Sequence, residues 1–330
     1  MSRIAVLGAG AWGTALAISL ARRGGHHVTL WCHSPQVATE LSESRRNEQY
    51  LPAHVLPSDV VVTGDIVRAI SDAEIVLCVT PSQYVRGIFG EIAPMLARDQ
   101  VIVSATKGLE EGTLLRMSQV IAAMSTNPLV VLSGPSFAAE VAAGTPTALV
   151  AASATSGLAH RIQREFGSSS LRLYTNVDVA GVELGGALKN VIALAAGVVN
   201  GLELGHNSAA ALITRGIAEM TRLAVACGGR RPTLAGLSGV GDLVLTCTGS
   251  LSRNRTVGTE LGRGRALPDI LLDMHGKVAE GIRSTSAALG LAARYGVEMP
   301  ITEQMHAILH QGKSPNEAIR QLMSRPGRDE

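Results

Sequence analysis

Aromatic residues make up only 3% of this 330-residue chain: two Trp, four Tyr and three Phe. Few side chains are therefore available to stack nucleic-acid bases. Net charge is +2, from 29 basic and 27 acidic residues, so no strong basic surface is expected either. Nucleic acid is not an expected partner. Cysteine is also scarce. Cys32, Cys78, Cys227 and Cys247 are scattered without a CxxC spacing, which excludes zinc ribbons and thioredoxin-like motifs. Ordinary buried thiols are expected. Long apolar runs are missing too. Val191–Val199 is the longest worth naming, well short of the about 20 residues a membrane helix needs. The N-terminus shows no charged-then-apolar signal pattern. A protein not embedded in a membrane, placed in the cytoplasm, is expected. Charged residues at 17% and apolar ones at 46% exclude dominant disorder. The length suggests about two domains.

One scarcity is informative in itself. Only four of the 29 basic residues are lysines: Lys107, Lys189, Lys277 and Lys313. Arginine is used nearly everywhere else. A lysine kept inside a glycine-rich or apolar segment therefore points to chemistry that guanidinium cannot supply.

The first half alternates strand and helix patterns. Arg3–Leu7, Val28–Trp31, Val60–Thr63, Glu74–Val79, Val101–Ser104, Leu129–Ser133 and Thr147–Ala152 read as short strands. Trp12–Arg23, Pro35–Arg46, Pro81–Ala97 and Leu114–Ser125 read as helices between them. Ser34-Pro35 is a helix start, with Ser at the N-cap and Pro at the first position. Apolar strands alternating with helices predict a parallel sheet covered on both faces. From about residue 178 the strand signals stop. Val179–Asn200, Ser208–Cys227, Gly281–Arg294, Thr302–His310 and Asn316–Met323 then read as helices. The expected organisation is an α/β, Rossmann-type doubly wound domain over residues 1–177 and an all-α domain over 178–330, with a frayed polar tail at Arg325–Glu330.

Gly8-Ala9-Gly10-Ala11-Trp12-Gly13 is G-x-G-x-x-G. Glycine is common here, so chance alone gives roughly 0.4 such matches in the chain. Placement makes this one specific, because it directly follows a strand and opens a helix. Gly8 allows the tight turn, Gly10 lets backbone approach a pyrophosphate, and Gly13 lets helix pack on strand. The free N–H groups at the helix start then face the phosphates. Trp12 either covers the sheet or touches the cofactor. The second strand ends Trp31-Cys32-His33-Ser34, without the carboxylate that would hold a ribose 2′-OH. Nothing repels a 2′-phosphate, and His33 can bond one. The reading leans to NADP(H), with NAD kept because backbone groups can bind it.

Three further segments carry candidate substrate chemistry. Lys107 lies just past one strand, and Ser133-Gly134-Pro135-Ser136 follows another, where open α/β sheets place their ligands. Lys189-Asn190 sits among small and apolar residues, Gly185 to Ala193. A lysine buried there is costly unless paired or functional, and burial or a nearby cation makes such a group a usable acid or base. Asp242 and Thr246 are four apart and share a face if helical. Ser252-Arg253-Asn254 suits a phosphate, which arginine's planar fork recognises. His306 and His310 are spaced i, i+4 but lack the glutamate of an HExxH site, so no metal is expected.

Together these segments resemble the bacterial NAD(P)-dependent sn-glycerol-3-phosphate dehydrogenases over nearly the whole chain. The matching stretches are Gly8–Ala17, Tyr50-Leu51-Pro52, Thr106–Glu110, Ser133–Glu140, Gly185–Val191, Gly239–Thr246, Ser252-Arg253-Asn254 and Ala279-Glu280-Gly281. The resemblance implies a helical domain like that following the Rossmann domain in 6-phosphogluconate dehydrogenases. It implies cofactor contacts at Gly8, Gly10, Ala11, Trp12, Gly13, His33, Tyr50, Lys107, Ala138, Arg253, Val278 and Glu280. It implies substrate contacts at Lys107, Gly134, Ser136, Lys189, Asn190, Asp242, Thr246, Ser252, Arg253 and Asn254. Lys189 matches the catalytic proton donor/acceptor. Family members often carry Arg where this chain has His33, so the departure bears on cofactor preference.

The implied reaction is reversible hydride transfer between nicotinamide C4 and C2 of dihydroxyacetone phosphate, giving sn-glycerol 3-phosphate for phospholipid synthesis. Lys189 would give the alkoxide its proton. Lys107 would add positive charge and help depress the pKa of Lys189. Asp242 would hold a lysine, and Arg253 with Asn254 would clamp the phosphate. A homodimer is the family expectation. The competing readings are another two-domain reductase, of the β-hydroxyacid dehydrogenase or ketopantoate reductase type, and a nicotinamide-nucleotide sensor without chemistry.

Overall fold

The computed structural model describes residues 1–274 and 279–327. Val278, one of the expected cofactor contacts, and Lys277 lie outside the described residues, as does the end of the tail after Gly327. The chain forms two compact units. One comprises Met1–Glu110 with Leu115–Glu183, the other Glu111–Leu114 with Leu184–Glu330. The division falls inside the helix Val179–Gly201.

The first unit is built on ten strands: β1 (Ser2–Leu7), β2 (His26–Trp31), β3 (Arg46–Asn47), β4 (Leu51–Val55), β5 (Val61–Thr63), β6 (Ile75–Cys78), β7 (Val101–Ser104), β8 (Leu129–Ser133), β9 (Thr147–Ala152) and β10 (Leu171–Asn176). Eight of them form one sheet in the order β10-β9-β8-β7-β6-β1-β2-β5, and β3 pairs with β4 apart from it. From β8 to β5 all neighbours are parallel. Strand β1 is flanked in register by both β2 and β6, so Leu7 lies beside Trp31 and Cys78. The order reverses there, as in a doubly wound sheet.

Both faces of the sheet are apolar, and alternate residues serve opposite sides. Ile4, Val6, Leu30, Leu77 and Val103 join one buried cluster with the helix Ala11–Arg23. Ala5, Leu7, Trp31, Val76 and Ile102 join the other, against Val85, Phe89 and Ile92 of the helix Ser82–Ile92. Strands buried on both faces need no polar side, which is why they read as continuous apolar runs.

The expected all-parallel sheet needs one correction. β9 runs antiparallel to β8, and β10 is parallel to β9. A parallel return after β8 would need a helix long enough to span the sheet. Only Ala138–Ala143 lies between β8 and β9, and six residues rise about 9 Å. The chain therefore re-enters from the end it left. Strand β10 and the β3–β4 pair were not expected from the sequence. The expected helix from Leu114 starts instead at Met117, because Leu114 has φ 63°, which excludes a right-handed helix there. The helix at Pro35 ends at Ser44, and the Ser34 hydroxyl caps it by accepting from Val37 N–H at 3.4 Å.

Helices make up the second unit. Val182, Leu184, Ala187, Leu188 and every residue from Val191 to Val199 are buried along Val179–Gly201. This helix is long and apolar enough to cross a membrane by length and composition, yet its whole apolar window is buried inside the protein. Lys189-Asn190 interrupts the apolar run without interrupting the helix. Glycines set how closely it is approached. A Cβ on Gly197 would lie 2.1 Å from Arg255 O, and one on Gly258 2.0 Å from Leu194 O. Gly201 and Gly262 repeat the pattern one turn on, at 2.1 Å from Thr259 O and 2.6 Å from Val198 O. The helices Val179–Gly201 and Arg253–Gly262 thus meet backbone to backbone along a four-glycine seam.

Candidate active site

In the first unit the glycine loop joins β1 to the helix Ala11–Arg23. Gly8 has φ +118°, in the region that favours glycine. A Cβ on Gly13 would stand 1.8 Å from Gly8 O, so only glycine lets the helix close on the turn. Gly10 is different, with no atom within 4 Å of a Cβ position. Neighbouring protein does not explain it, but a ligand approaching the backbone would. No side chain caps this helix start, where Gly10 is the N-cap. Its first N–H groups and positive dipole end are thus available to an anion. These features fit a dinucleotide pyrophosphate.

Asn47 holds the loop from behind. Its buried Nδ2 donates to Ala9 O and to Thr14 Oγ1, both at 2.8 Å. Its Oδ1 accepts from Tyr50 N–H at 3.2 Å. Sequence reasoning missed Asn47. The one signal near it was Tyr50-Leu51-Pro52, which begins three residues later. Trp12 and Ala138 are half-buried and pack against the cluster beneath the loop. Ala11 and Tyr50 are half-buried, while His33 is exposed two residues past β2. The His33 ring stands edge-on to Trp31, 5.9 Å between centroids.

The ends of β7 and β8 bring a second group together. Lys107 Nζ donates to Gly134 O at 3.1 Å, and Ser136 Oγ donates to the same oxygen at 3.1 Å. Gly134 has φ +135°, and a Cβ there would meet the Leu149 backbone at 3.2 Å. Beneath them Thr106 Oγ1 donates to Thr80 O at 2.8 Å, tying the ends of β6 and β7.

The second unit gathers Lys189, Asp242 and Thr246. Lys189 Nζ donates to Asp242 Oδ1 and, at 2.8 Å, to Thr246 Oγ1. Thr246 Oγ1 in turn donates to Asp242 O at 2.6 Å, across one turn of the helix Asp242–Thr248. Asp242 is fully buried and Lys189 is 7% exposed. An ammonium this deep requires a counter-charge, and Asp242 supplies it. Asp242 follows a wide turn, Leu237–Gly241, closed by Gly241 N–H on Gly236 O. That turn rests against the lysine-bearing helix, since a Cβ on Gly185 would lie 2.2 Å from Ser238 O. Cys247 is adjacent, but burial pushes its thiol up to about 12, too high for a thiolate nucleophile.

Nearby, Ser252 caps the helix Arg253–Gly262 by accepting from Arg255 N–H at 3.2 Å. Arg253 is the first residue of that helix and half-buried. Asn254 is buried and donates to Asn190 Oδ1 at 3.0 Å. Glu280 opens the helix Glu280–Tyr295. The rings of His306 and His310 lie 4.8 Å apart, tilted by 49°, and no group of three potential metal ligands occurs among the described residues.

A dinucleotide-type glycine loop in an α/β unit, with a buried lysine–aspartate pair in a helical unit, defines a nicotinamide-dependent dehydrogenase architecture. Family models of the N-terminal and C-terminal parts of NAD-dependent glycerol-3-phosphate dehydrogenase match residues 3–159 and 178–320. The chain belongs to this NAD(P)-dependent oxidoreductase family. It is 61% identical to a glycerol-3-phosphate dehydrogenase (NAD(P)+) of Koribacter versatilis, over all of this chain and 99% of that one. A protein of the same name from Acidobacterium capsulatum is 60% identical over the full length of both. The crystal structure of glycerol-3-phosphate dehydrogenase from Coxiella burnetii superposes with a TM-score of 0.94 at 39% identity, covering 98% of this chain and 99% of that one. A ketopantoate reductase from Ralstonia eutropha shares the fold alone, with a TM-score of 0.61 at 16% identity.

Proposed function

We propose that this chain catalyses reversible reduction of dihydroxyacetone phosphate to sn-glycerol 3-phosphate with NAD(P)H. Family membership supports the reaction, and the buried Lys189–Asp242–Thr246 arrangement carries the mechanism. The glycine loop, with Gly8, Gly10 and Gly13, would hold the pyrophosphate, and Ala11, Trp12, His33, Tyr50 and Ala138 would complete the dinucleotide contacts that the α/β unit carries. When bound, the nicotinamide supplies or accepts the hydride.

The chain's own residues handle the proton and the phosphate. As the substrate carbonyl oxygen gains negative charge, Lys189 Nζ gives it a proton, and takes it back in the oxidative direction. Asp242 and Thr246 fix the ammonium's rotamer and keep its charge compensated while it waits. Arg253, at the start of its helix beside Ser252 and Asn254, binds the phosphate dianion with its planar fork. Holding the phosphate fixes the carbonyl, which converts binding into orientation. Lys107, steadied on Gly134 O beside Ser136, offers a second cation to an anionic oxygen of the bound ligands.

Without a carboxylate after β2, the site favours NADPH over NADH. The resemblance further supports a cytoplasmic homodimer supplying glycerol phosphate for phospholipids. Oxidation of NADPH and of NADH by purified protein with dihydroxyacetone phosphate tests the proposal. Rapid oxidation, faster with NADPH, is expected. Dinucleotide binding without turnover would overturn the substrate assignment. A faster rate with NADH would overturn the cofactor preference, and light scattering at monomer mass would overturn the dimer.

A further inference from the structure

A backbone N–H in the second unit fixes the direction of two buried amides in series. Gly281 N–H, one residue into the helix Glu280–Tyr295, donates to Asn254 Oδ1 at 2.9 Å. A backbone N–H cannot accept, so the end of Asn254 that faces it is the oxygen. The other end, Nδ2, donates to Asn190 Oδ1 at 3.0 Å. Asn190 must then present its own Nδ2 away from this contact. That Nδ2 makes no hydrogen bond among the described residues. Among the described residues, the fully buried polar side-chain atoms without a hydrogen bond are His26 Nδ1 and the hydroxyls of Ser104, Ser133 and Ser238. Asn190 Nδ2 is not one of them, so it reaches accessible space although the residue is only 4% exposed.

The contact also explains a glycine. A Cβ on residue 281 would stand 2.7 Å from Asn190 O and 2.8 Å from Asn254 Oδ1. Any larger residue pushes the helix start away from both amides, and the chain of bonds is lost.

We propose that Gly281 and Asn254 are positioning residues that hold the Asn190 amide with its N–H₂ outward. That choice suits a ligand whose recognised atoms are oxygens: a carbonyl, an alkoxide or a phosphate. A reversed amide would turn a carbonyl toward the same oxygens. The inference rests on the glycerol-3-phosphate reading for what the donor meets, but the amide's direction does not depend on it.

Asn254→Asp tests the direction. The aspartate still accepts from Gly281 N–H, but it can no longer donate to Asn190. It draws the Asn190 N–H₂ inward and turns the Asn190 oxygen out. Hydrogen exchange at the side-chain amides of 15N-asparagine-labelled protein, without ligand, reads this directly. In the wild type the Asn190 N–H₂ is expected to exchange fast and the Asn254 N–H₂ slowly. In Asn254→Asp the Asn190 N–H₂ becomes protected. KM for glycerol 3-phosphate then rises about 10- to 100-fold, the size of one lost hydrogen bond to a charged or unpaired group, while KM for the dinucleotide stays unchanged. A merely structural loss would instead lower thermal stability and affect both ligands. A protected Asn190 N–H₂ in the wild type overturns the proposal, as does an unchanged KM in Asn254→Asp. A wild type that exchanges as expected but does not turn over glycerol 3-phosphate would overturn the functional reading and leave the amide direction standing.

Discussion

The two units hold their functional groups in opposite ways. In the glycine loop of the α/β unit the candidate recognising atoms are backbone. Gly8, Gly10 and Gly13 clear a path to N–H groups at a helix start, and Gly134 O gathers Lys107 and Ser136. In the helical unit they are side chains, Lys189, Asp242, Thr246, Asn190 and Asn254, buried and bonded to one another. A backbone site costs little to keep open, because its donors point to solvent when no ligand is there. A buried side-chain site must satisfy itself in advance. Shape therefore decides substitutions at the glycine loop, and charge balance decides them at the Lys189 cluster.

Lys189→Ala draws the contrast most sharply. Loss of a general acid lowers kcat by about 10²–10⁴-fold, and steady-state kinetics will show dinucleotide affinity unchanged. The same substitution strands the fully buried Asp242, at a stability cost of about 3–5 kcal/mol. Denaturant titration will find most of that cost removed in Lys189→Met/Asp242→Leu, which is equally inactive. If the single variant is as stable as wild type, charge balance does not govern the Lys189 cluster.

Gly13→Ala is the counterpart in the other unit. Its Cβ, 1.8 Å from Gly8 O, forces the turn and helix apart for about 1–3 kcal/mol. Fluorescence titration will show weakened dinucleotide binding, with the Lys189 cluster unaffected. Gly258→Ala breaks the helical seam at Leu194 O, where its Cβ would sit at 2.0 Å. Here too about 1–3 kcal/mol is lost, but the kinetic damage will fall on kcat. The smallest effect is a gain. Gly87 lies inside the helix Ser82–Ile92 with nothing within 4 Å of a Cβ, so Gly87→Ala will raise stability by about 0.5–1 kcal/mol without changing kinetics. A loss there would mean that this surface has an unseen neighbour.

Much of this was legible in the sequence, for definite reasons. β7, β8 and β9 keep the bounds their apolar runs suggest, because strands buried on both faces read as continuous apolar runs. Lys189 stood out because arginine serves almost every other basic position, and i, i+4 spacing placed Asp242 and Thr246 on one face. The helix Leu158–Phe166 went unread, although Leu158, Ile162 and Phe166 line its buried face. Gly157 and the run Gly167–Ser170 on either side made the segment look like loop. Strand β10 is half-exposed, with Leu171 and Leu173 inward and Arg172 and Tyr174 outward, so its signal was weak. The direction of β9 depends on the length of the connecting helix, a property of the path rather than of the strand. The interior glycines were hardest. Within a helix glycine reads as a weak point, and only the partner helix shows that Gly197 and Gly201 are contacts.

That seam has a thermal consequence. Where side chains fill an interface, warming populates other rotamers and the spacing drifts. Peptide groups touching peptide groups have no rotamers to exchange. The separation between the helix bearing Lys189 and the helix beginning at Arg253 is therefore set by bond lengths and van der Waals radii, quantities nearly independent of temperature and pressure. Lys189 and Arg253, the proposed proton donor and phosphate anchor, thus ride on helices whose spacing heating or compression can scarcely alter until the fold itself gives way.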